Sequence, residues 1–305
     1  MNVQAVKRMV AALVTGGLIL AMMGGSAGST ERARLPPPPP DPEDAVRPPA
    51  AIVARQKAIE AELERIGVHA WAGEYSEGDG LGANLRLSLA PQAGIAGTLT
   101  GCLGLYDARA GSVEESPGVL KFHLDGRREQ TPWSFPDELV PVRWGERRYL
   151  IPPADLMRFV NAIHRGFEPR TDAMGMFLLA RGDEKKPADG LPELPEPYRS
   201  AIRDVPLDVG VVAVQPAPLQ CGKGGFCTRI HRFTVDRGTL DGIVPGVELE
   251  VKSPDDAVDT PLIESADATT AVGSFTRYSD ANDEDAVKPD RRWVFTTGRY
   301  TPAAR

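Results

Sequence analysis

The feature that most constrains the fold is a strict alternation of leucine with polar residues at 84–89. Leu85, Leu87 and Leu89 are each separated by one polar residue. Successive side chains of a β-strand point to opposite faces, so this spacing predicts a half-buried strand and argues against an amphipathic helix. We expect the three leucines to face a core.

Neighbouring segments predict further strands. A turn at 91–94 contains Pro and Gly, which suit its early and late positions, and 95–100 can return as the next strand. A third strand is predicted at 102–106, and alternation resumes at 120–124. Short strands separated by turns are typical of an antiparallel meander that becomes a barrel or sandwich.

The sequence also predicts the surroundings of two side chains in this meander, Cys102 and His123. Cys102 lies between apolar strand residues, so a buried free thiol is expected. His123 alternates with apolar residues and is expected on the solvent face.

The N-terminus has the order of a secretory signal. Lys7 and Arg8 precede an apolar run at 9–23, and small residues follow up to Ala27. This order predicts a signal peptide over 1–27 and a periplasmic or secreted protein. No cysteine follows the run to carry a lipid, and an uncleaved anchor is the alternative.

The charge of the chain is acidic. Removing 1–27 would change the net charge from −7 to −9, because that segment holds two basic residues and no acidic one. Such a chain lacks the basic surface that binds nucleic acid or anionic membranes. We therefore expect no nucleic-acid partner, and membrane contact only through an uncleaved signal.

Composition divides the remainder of the chain. Residues 28–50 are proline-rich and predict a semi-rigid polyproline linker. A helix plus β-meander domain is predicted over 51–204 and a small β-barrel domain over 205–305, with the boundary after the proline-rich stretch at 189–197. The fold class is mainly β with a few helices (α+β).

Two helices are predicted in the first domain. An apolar stripe marks 52–66, and Gly67 can end that helix. The second helix opens at Pro153 and ends at Gly166. His164 lies in its last turn, where positive charge meets the negative helix end, and is expected to be structural or solvated.

Cys221 and Cys227 are the most specific chemical feature. In an oxidising compartment, two cysteines this close around flexible glycines are expected to pair. The alternative adds His231 as a third metal ligand, but a fourth ligand or an open catalytic site is not identifiable. A disulfide is therefore predicted and no metal site.

Four other short patterns do not predict sites. The glycines at 78–82 and 222–224 lack the spacing and context of phosphate loops. Residues 181–183 match the Arg-Gly-Asp adhesion tripeptide, which is too short to separate from a polar turn. The acidic stretch 279–290 begins like a calcium loop but lacks its Gly and bidentate Glu. No cofactor is predicted.

One segment resembles a known type of domain. Residues 235–251 combine a strand, Gly238-x-x-Asp241-Gly242, Gly246 and a second alternating strand. The segment resembles the small six-stranded barrels of bacterial envelope proteins, such as the C-terminal regions of flagellar assembly protein T and of the rod-shape protein MreC. That resemblance implies an assembly or interaction module without catalysis.

These patterns lead to two functional hypotheses. The first is an exported, non-catalytic cell-envelope protein that binds or assembles with an envelope protein or ligand, and no catalytic residue is assigned in it. The second is a secreted hydrolase with a site in the meander around Glu74, Tyr75, Asp79 and His123.

Overall fold

The chain is mainly β, with a closed eight-stranded antiparallel barrel and a second curled sheet. The computed structural model describes residues 48–78, 82–126, 135–171, 175–215, 218–222, 226–252, 260–280 and 293–298. The predicted signal peptide, nearly all of the predicted linker, Asp79 and most of the acidic stretch lie outside these residues. The predicted fold class is confirmed.

The first barrel runs in sequence order around its circumference and closes where its last strand pairs with its first. Its strands are β1 Gly73–Glu77, β2 Asn84–Ala90, β3 Gly94–Gly101, β4 Gly104–Ser116, β5 Val119–Leu124, β6 Glu138–Trp144, β7 Arg147–Ile151 and β8 Leu178–Ala180.

The alternating leucines form the centre of this barrel. Leu85, Leu87 and Leu89 are buried in one apolar cluster with Leu120 and Phe122 of β5. The prediction that they face a core is confirmed. Because these side chains occupy the interior, it is a packed core.

The predicted environment of Cys102 is wrong. Strand β3 extends to Gly101 and pairs with Gly104, so Cys102 and Leu103 form the turn between β3 and β4. The thiol is exposed, and so is 84% of Leu103. Local apolar character predicted a strand here, whereas the pairing of two glycines sets the turn.

The first helix, α1 Ala50–Ile66, covers the outer face of β2, β3 and β4. Ile52 and Ile59 pack on small alanines of the three strands. The buried carboxylate of Glu62 accepts hydrogen bonds from the amides of Gln92 and Ala93, at 3.0 and 2.6 Å. Helix α1 thus holds the turn between β2 and β3.

The second helix, α2 Leu156–His164, follows a 3-10 turn at Pro153–Asp155. A short helix, α3 Tyr198–Ala201, lies near the predicted domain boundary. Gly67 and Gly166 have φ of 68° and 69° after α1 and α2, as expected for helix ends. In the described part of the chain, no helix has both the length and the apolar character needed to cross a membrane.

The second sheet has the strand order β12-β15-β9-β11-β14-β13, with β10 paired to β11. Its strands are β9 Asp208–Gln215, β10 Leu219–Cys221, β11 Phe226–Val235, β12 Glu250–Val251, β13 Leu262–Ala266, β14 Ala271–Asp280 and β15 Val294–Thr296.

Residues 246–252 include edge strand β12 and also reach the other edge of this sheet, beside β13. The amide of Leu249 donates to Pro261 beside β13 at 2.8 Å, and the amide of Lys252 donates to Val294 of β15 at 2.9 Å. Val247 and Leu249 are buried, as their alternation predicts. The sheet therefore curls until the segment that contains its edge strand β12 also contacts the opposite edge beside β13.

One apolar core includes residues from both halves of the chain. Phe159 of α2 lies in a buried cluster with Val142 and Tyr149 from the outer face of the first barrel. The same cluster contains Val209 and Phe233 of the second sheet. The predicted domain boundary thus falls between residues that pack together.

Candidate functional site

The candidate site lies where strand β1 ends, on the inner face of the first barrel. Strand register places Tyr75 opposite Leu87 and Glu77 opposite Leu85. Paired residues share a face of a sheet, so Glu77 points inward with these apolar side chains. Only 18% of its side chain is exposed.

Arg170, in the 3-10 turn Pro169–Thr171, faces this carboxylate. Its Nε lies 3.9 Å from Oε2 of Glu77, which is too far for a hydrogen bond. Both atoms are buried, and neither has a hydrogen-bond partner among the described residues. The amide of Phe177 donates to the Glu77 carboxylate.

Burial raises the pKa of Glu77 to about 7. Arg170 and the Phe177 amide oppose this increase, because both stabilise the ionised carboxylate, whereas the negative charges of Asp155 and Glu168 add to it. Loss of water contact outweighs the attraction of Arg170, so Glu77 exchanges its proton near neutral pH. We refer to these five residues as the Glu77 site.

Glu168 also anchors the Glu77 site to the outer face of the barrel. Its carboxylate accepts hydrogen bonds from Arg147 and, at 3.1 Å, from the hydroxyl of Tyr149. Arg147 also donates from Nε to the carbonyl of Lys186 at 2.6 Å. Burial raises the pKa of Tyr149 to about 12, so its hydroxyl remains a donor at neutral pH.

No sequence pattern singled out Glu77. The signal that could have found it is its position two residues after Tyr75, in phase with the buried side of the strand. An acidic residue in that phase is unusual, because burying a charge is unfavourable.

Three residues of the hydrolase hypothesis are described, Glu74, Tyr75 and His123, and they do not form one cluster; Asp79 lies outside the described residues. Tyr75 is inside the barrel and donates to the carbonyl of Trp71 at 2.8 Å, whereas Glu74 forms an ion pair with Arg181 at 2.7 Å. His123 lies on β5, halfway around the barrel from β1. It is 62% exposed and bonds Glu114 at 3.0 Å, which confirms the predicted solvent face.

Asp183 of the Arg-Gly-Asp tripeptide is buried, with 1% of its side chain exposed. Its carboxylate accepts from the Arg148 amide at 3.0 Å and pairs with Lys186 at 2.5 Å. An adhesion motif needs an accessible aspartate, so this tripeptide is structural.

Cys221 and Cys227 are opposite each other in the β10–β11 pair, and their sulfur atoms are at the bonding distance of 2.05 Å. His231 is buried farther along β11 and stacks on Phe275, with ring centroids 4.9 Å apart. Bonded sulfurs are not thiolate ligands, which removes the basis of the metal alternative. Within the described ranges, no three His, Cys, Asp or Glu side chains could together hold a metal ion.

We expect one reactive thiol in the folded chain. A maleimide should label Cys102 alone, because it is exposed and the other two cysteines are bonded. Unfolding and reduction should raise the number of labels to three, as counted by intact mass. A Cys102→Ser variant, which should take no label when folded, is the control. Labelling of Cys221 before reduction would contradict the pairing.

His164 is buried and acts as a hydrogen-bond acceptor at the end of α2. Its Nε2 accepts from the Arg203 amide at 3.2 Å. Burial, and next the nearby Arg203 charge, lower its pKa to about 4, so the side chain is neutral at pH 7. The expected structural role is confirmed. His164 does not supply the positive charge expected at the helix end, because packing against residues after α3 excludes water.

The glycine motif that carries the resemblance contacts other parts of the same chain. A Cβ on Gly242 would lie 2.2 Å from the carbonyl oxygen of Ser200, and one on Gly246 would lie 2.9 Å from Met157 of α2. Asn161 of α2 also donates to the Gly246 carbonyl at 3.0 Å. The motif therefore docks the second sheet onto α2 and α3.

Gly242→Ala is expected to lower the free energy of unfolding by about 2 to 3 kcal/mol. The residue has φ of 73°, and an added methyl would clash with Ser200. Gly118→Ala is the matched control, because Gly118 has φ of 76° with open space around it. The free energy of unfolding of that variant, measured with urea, should fall by only about 1 kcal/mol. Equal losses would show that close docking is not what requires Gly242.

No protein-family model, curated protein or solved structure is significantly similar to this chain.

Proposed function

We propose that the chain is an exported, non-catalytic protein of the cell envelope that acts by binding or assembly through its β-rich halves. The observation that carries this proposal is the Cys221–Cys227 bond. Disulfides persist in oxidising compartments and are rare in the cytosol. The bond supports the periplasmic or secreted location predicted from residues 1–27.

The packed interior of the first barrel favours binding over catalysis. Leucine and phenylalanine side chains fill that interior, so the barrel serves as a rigid support for its surface. Glu74, Tyr75 and His123 of the hydrolase hypothesis make contacts in separate places. Contact with another molecule is then made by turns and outer strand faces.

The resemblance to envelope barrels supports an assembly role, with one modification. Gly242 and Gly246 contact Ser200 and Met157 within the chain, which leaves the glycine motif engaged internally. A partner would therefore bind another face of the second sheet. We propose an envelope protein or ligand as that partner, and the acidic net charge of −7 argues against nucleic acid.

The test uses the full chain in its native host. We expect the mature protein in the envelope fraction to begin at residue 28, to contain the Cys221–Cys227 bond, and to form a specific crosslinked complex there. Recovery from the cytosol with both cysteines reduced would overturn the proposal.

A hydrolase is the second candidate, because His123 and Glu114 form a hydrogen-bonded pair on an exposed face. Turnover in an esterase or glycosidase screen that His123→Ala abolishes would favour it. Glu138→Ala, at an exposed position on the neighbouring strand β6, is the matched control and should leave such turnover unchanged.

A further inference from the structure

We propose that the carboxyl group of Glu77 is a proton-operated latch: its neutral form keeps the Pro169–Thr171 turn seated on the first barrel, and its ionisation loosens that turn. The proposal concerns the Glu77 site and does not depend on the proposed function.

The geometry of the site supports this latch. Glu77 points into an apolar interior, and its Oε2 has no hydrogen-bond partner among the described residues. Arg170 is the facing cation, but its Nε is 3.9 Å away and equally without a partner. The pair is close enough to attract and too far apart to replace the water that an ionised carboxylate loses.

Two nearby negative charges, like burial, favour the neutral form of Glu77. Asp155 and Glu168 both disfavour a negative charge on Glu77. Asp155 is engaged by the Met176 amide at 3.1 Å, and Glu168 by Tyr149. These contacts hold both carboxylates in place near Glu77 while the turn is seated.

The seated and open positions of the turn differ in how much water reaches Glu77. In the seated state its pKa is about 7, against an ordinary value of 4.5. Movement of Arg170 away from the barrel admits water and returns the carboxyl towards its ordinary pKa. From this difference, the open population increases about 25-fold between pH 5.5 and pH 8.

Hydrogen exchange at the Phe177 amide, which donates to Glu77, measures this opening. After correction for the intrinsic exchange rate, protection should fall about 25-fold from pH 5.5 to pH 8 and level off above pH 7. Glu77→Gln should remove this dependence, and Glu115→Gln, an exposed glutamate on β4, should leave it intact. A change below about 3-fold in the wild type, or the same change in Glu77→Gln, would overturn the latch.

A second variant keeps the test informative if Glu77→Gln does not fold. Arg170→Met removes the charge that favours ionised Glu77, so the levelling-off of Phe177 exchange should move to a pH above 7. An unchanged or lower position would also overturn the latch.

Discussion

Phe159→Ala is expected to lower the free energy of unfolding by about 3 to 5 kcal/mol, the largest loss among the substitutions proposed. The side chain is fully buried. Its ring contacts Trp144, Tyr149 and Phe177, with centroids 6.1, 5.2 and 5.6 Å apart. Truncation leaves a cavity among rigid aromatic rings, which cannot collapse to fill it. Urea unfolding gives the measurement.

The same variant tests whether the two halves share one core. Hydrogen exchange at Leu150 of β7 and Phe233 of β11 should lose protection by similar amounts, because both halves contribute to the cluster that contains Phe159. Phe167→Ala is the control, since 43% of Phe167 is exposed, and should cost less than about 1 kcal/mol. Loss of protection only at Leu150 would show that the halves unfold independently.

The parts of the fold that depend on local patterns were predictable from sequence. Leu85 and Leu87 alternate with polar residues, and Gly67 follows an apolar helical stripe. Both signals arise from the periodicity of one element, so they do not need knowledge of its neighbours.

The features that the sequence did not predict depend on contacts between segments that are distant along the chain. Cys102 is exposed because Gly101 pairs with Gly104. His164 is neutral because it is buried, in contact with Arg203, 39 residues away, and burial lowers its pKa. Glu77 became a candidate only once β1 was placed between β2 and β8, which showed that its side chain has apolar neighbours on the inner face.

Glu77→Gln is expected to stabilise the fold by about 3 kcal/mol at pH 8.5 relative to its effect at pH 4.5. The folded pKa of about 7 lies above the ordinary value of 4.5. A carboxyl with a raised pKa contributes stability below pH 4.5 and loses it as pH rises to 7. Glutamine has no charge to bury, so the variant keeps that stability in alkaline solution.

His164 acts with the opposite sign. Its folded pKa of about 4 lies below the ordinary 6.5, so its contribution is present above pH 6.5 and is lost as pH falls to 4. Between pH 4.5 and 6.5 the two groups change stability by about 1 kcal/mol per pH unit in opposite directions. Their effects therefore oppose each other in the wild type across this range.

Single variants should expose each contribution in urea unfolding between pH 4.5 and 6.5. On acidification, Glu77→Gln should lose about 2 to 3 kcal/mol through His164, whereas His164→Gln should gain a similar amount through Glu77. Glutamine at 164 retains an acceptor for the Arg203 amide. The effect of His164→Gln is judged by how its free energy of unfolding changes with pH, because the absolute value also includes repacking around the new side chain. The double variant should show neither of these two slopes. A double variant that keeps either slope would mean that another buried group titrates in this range and produces that slope.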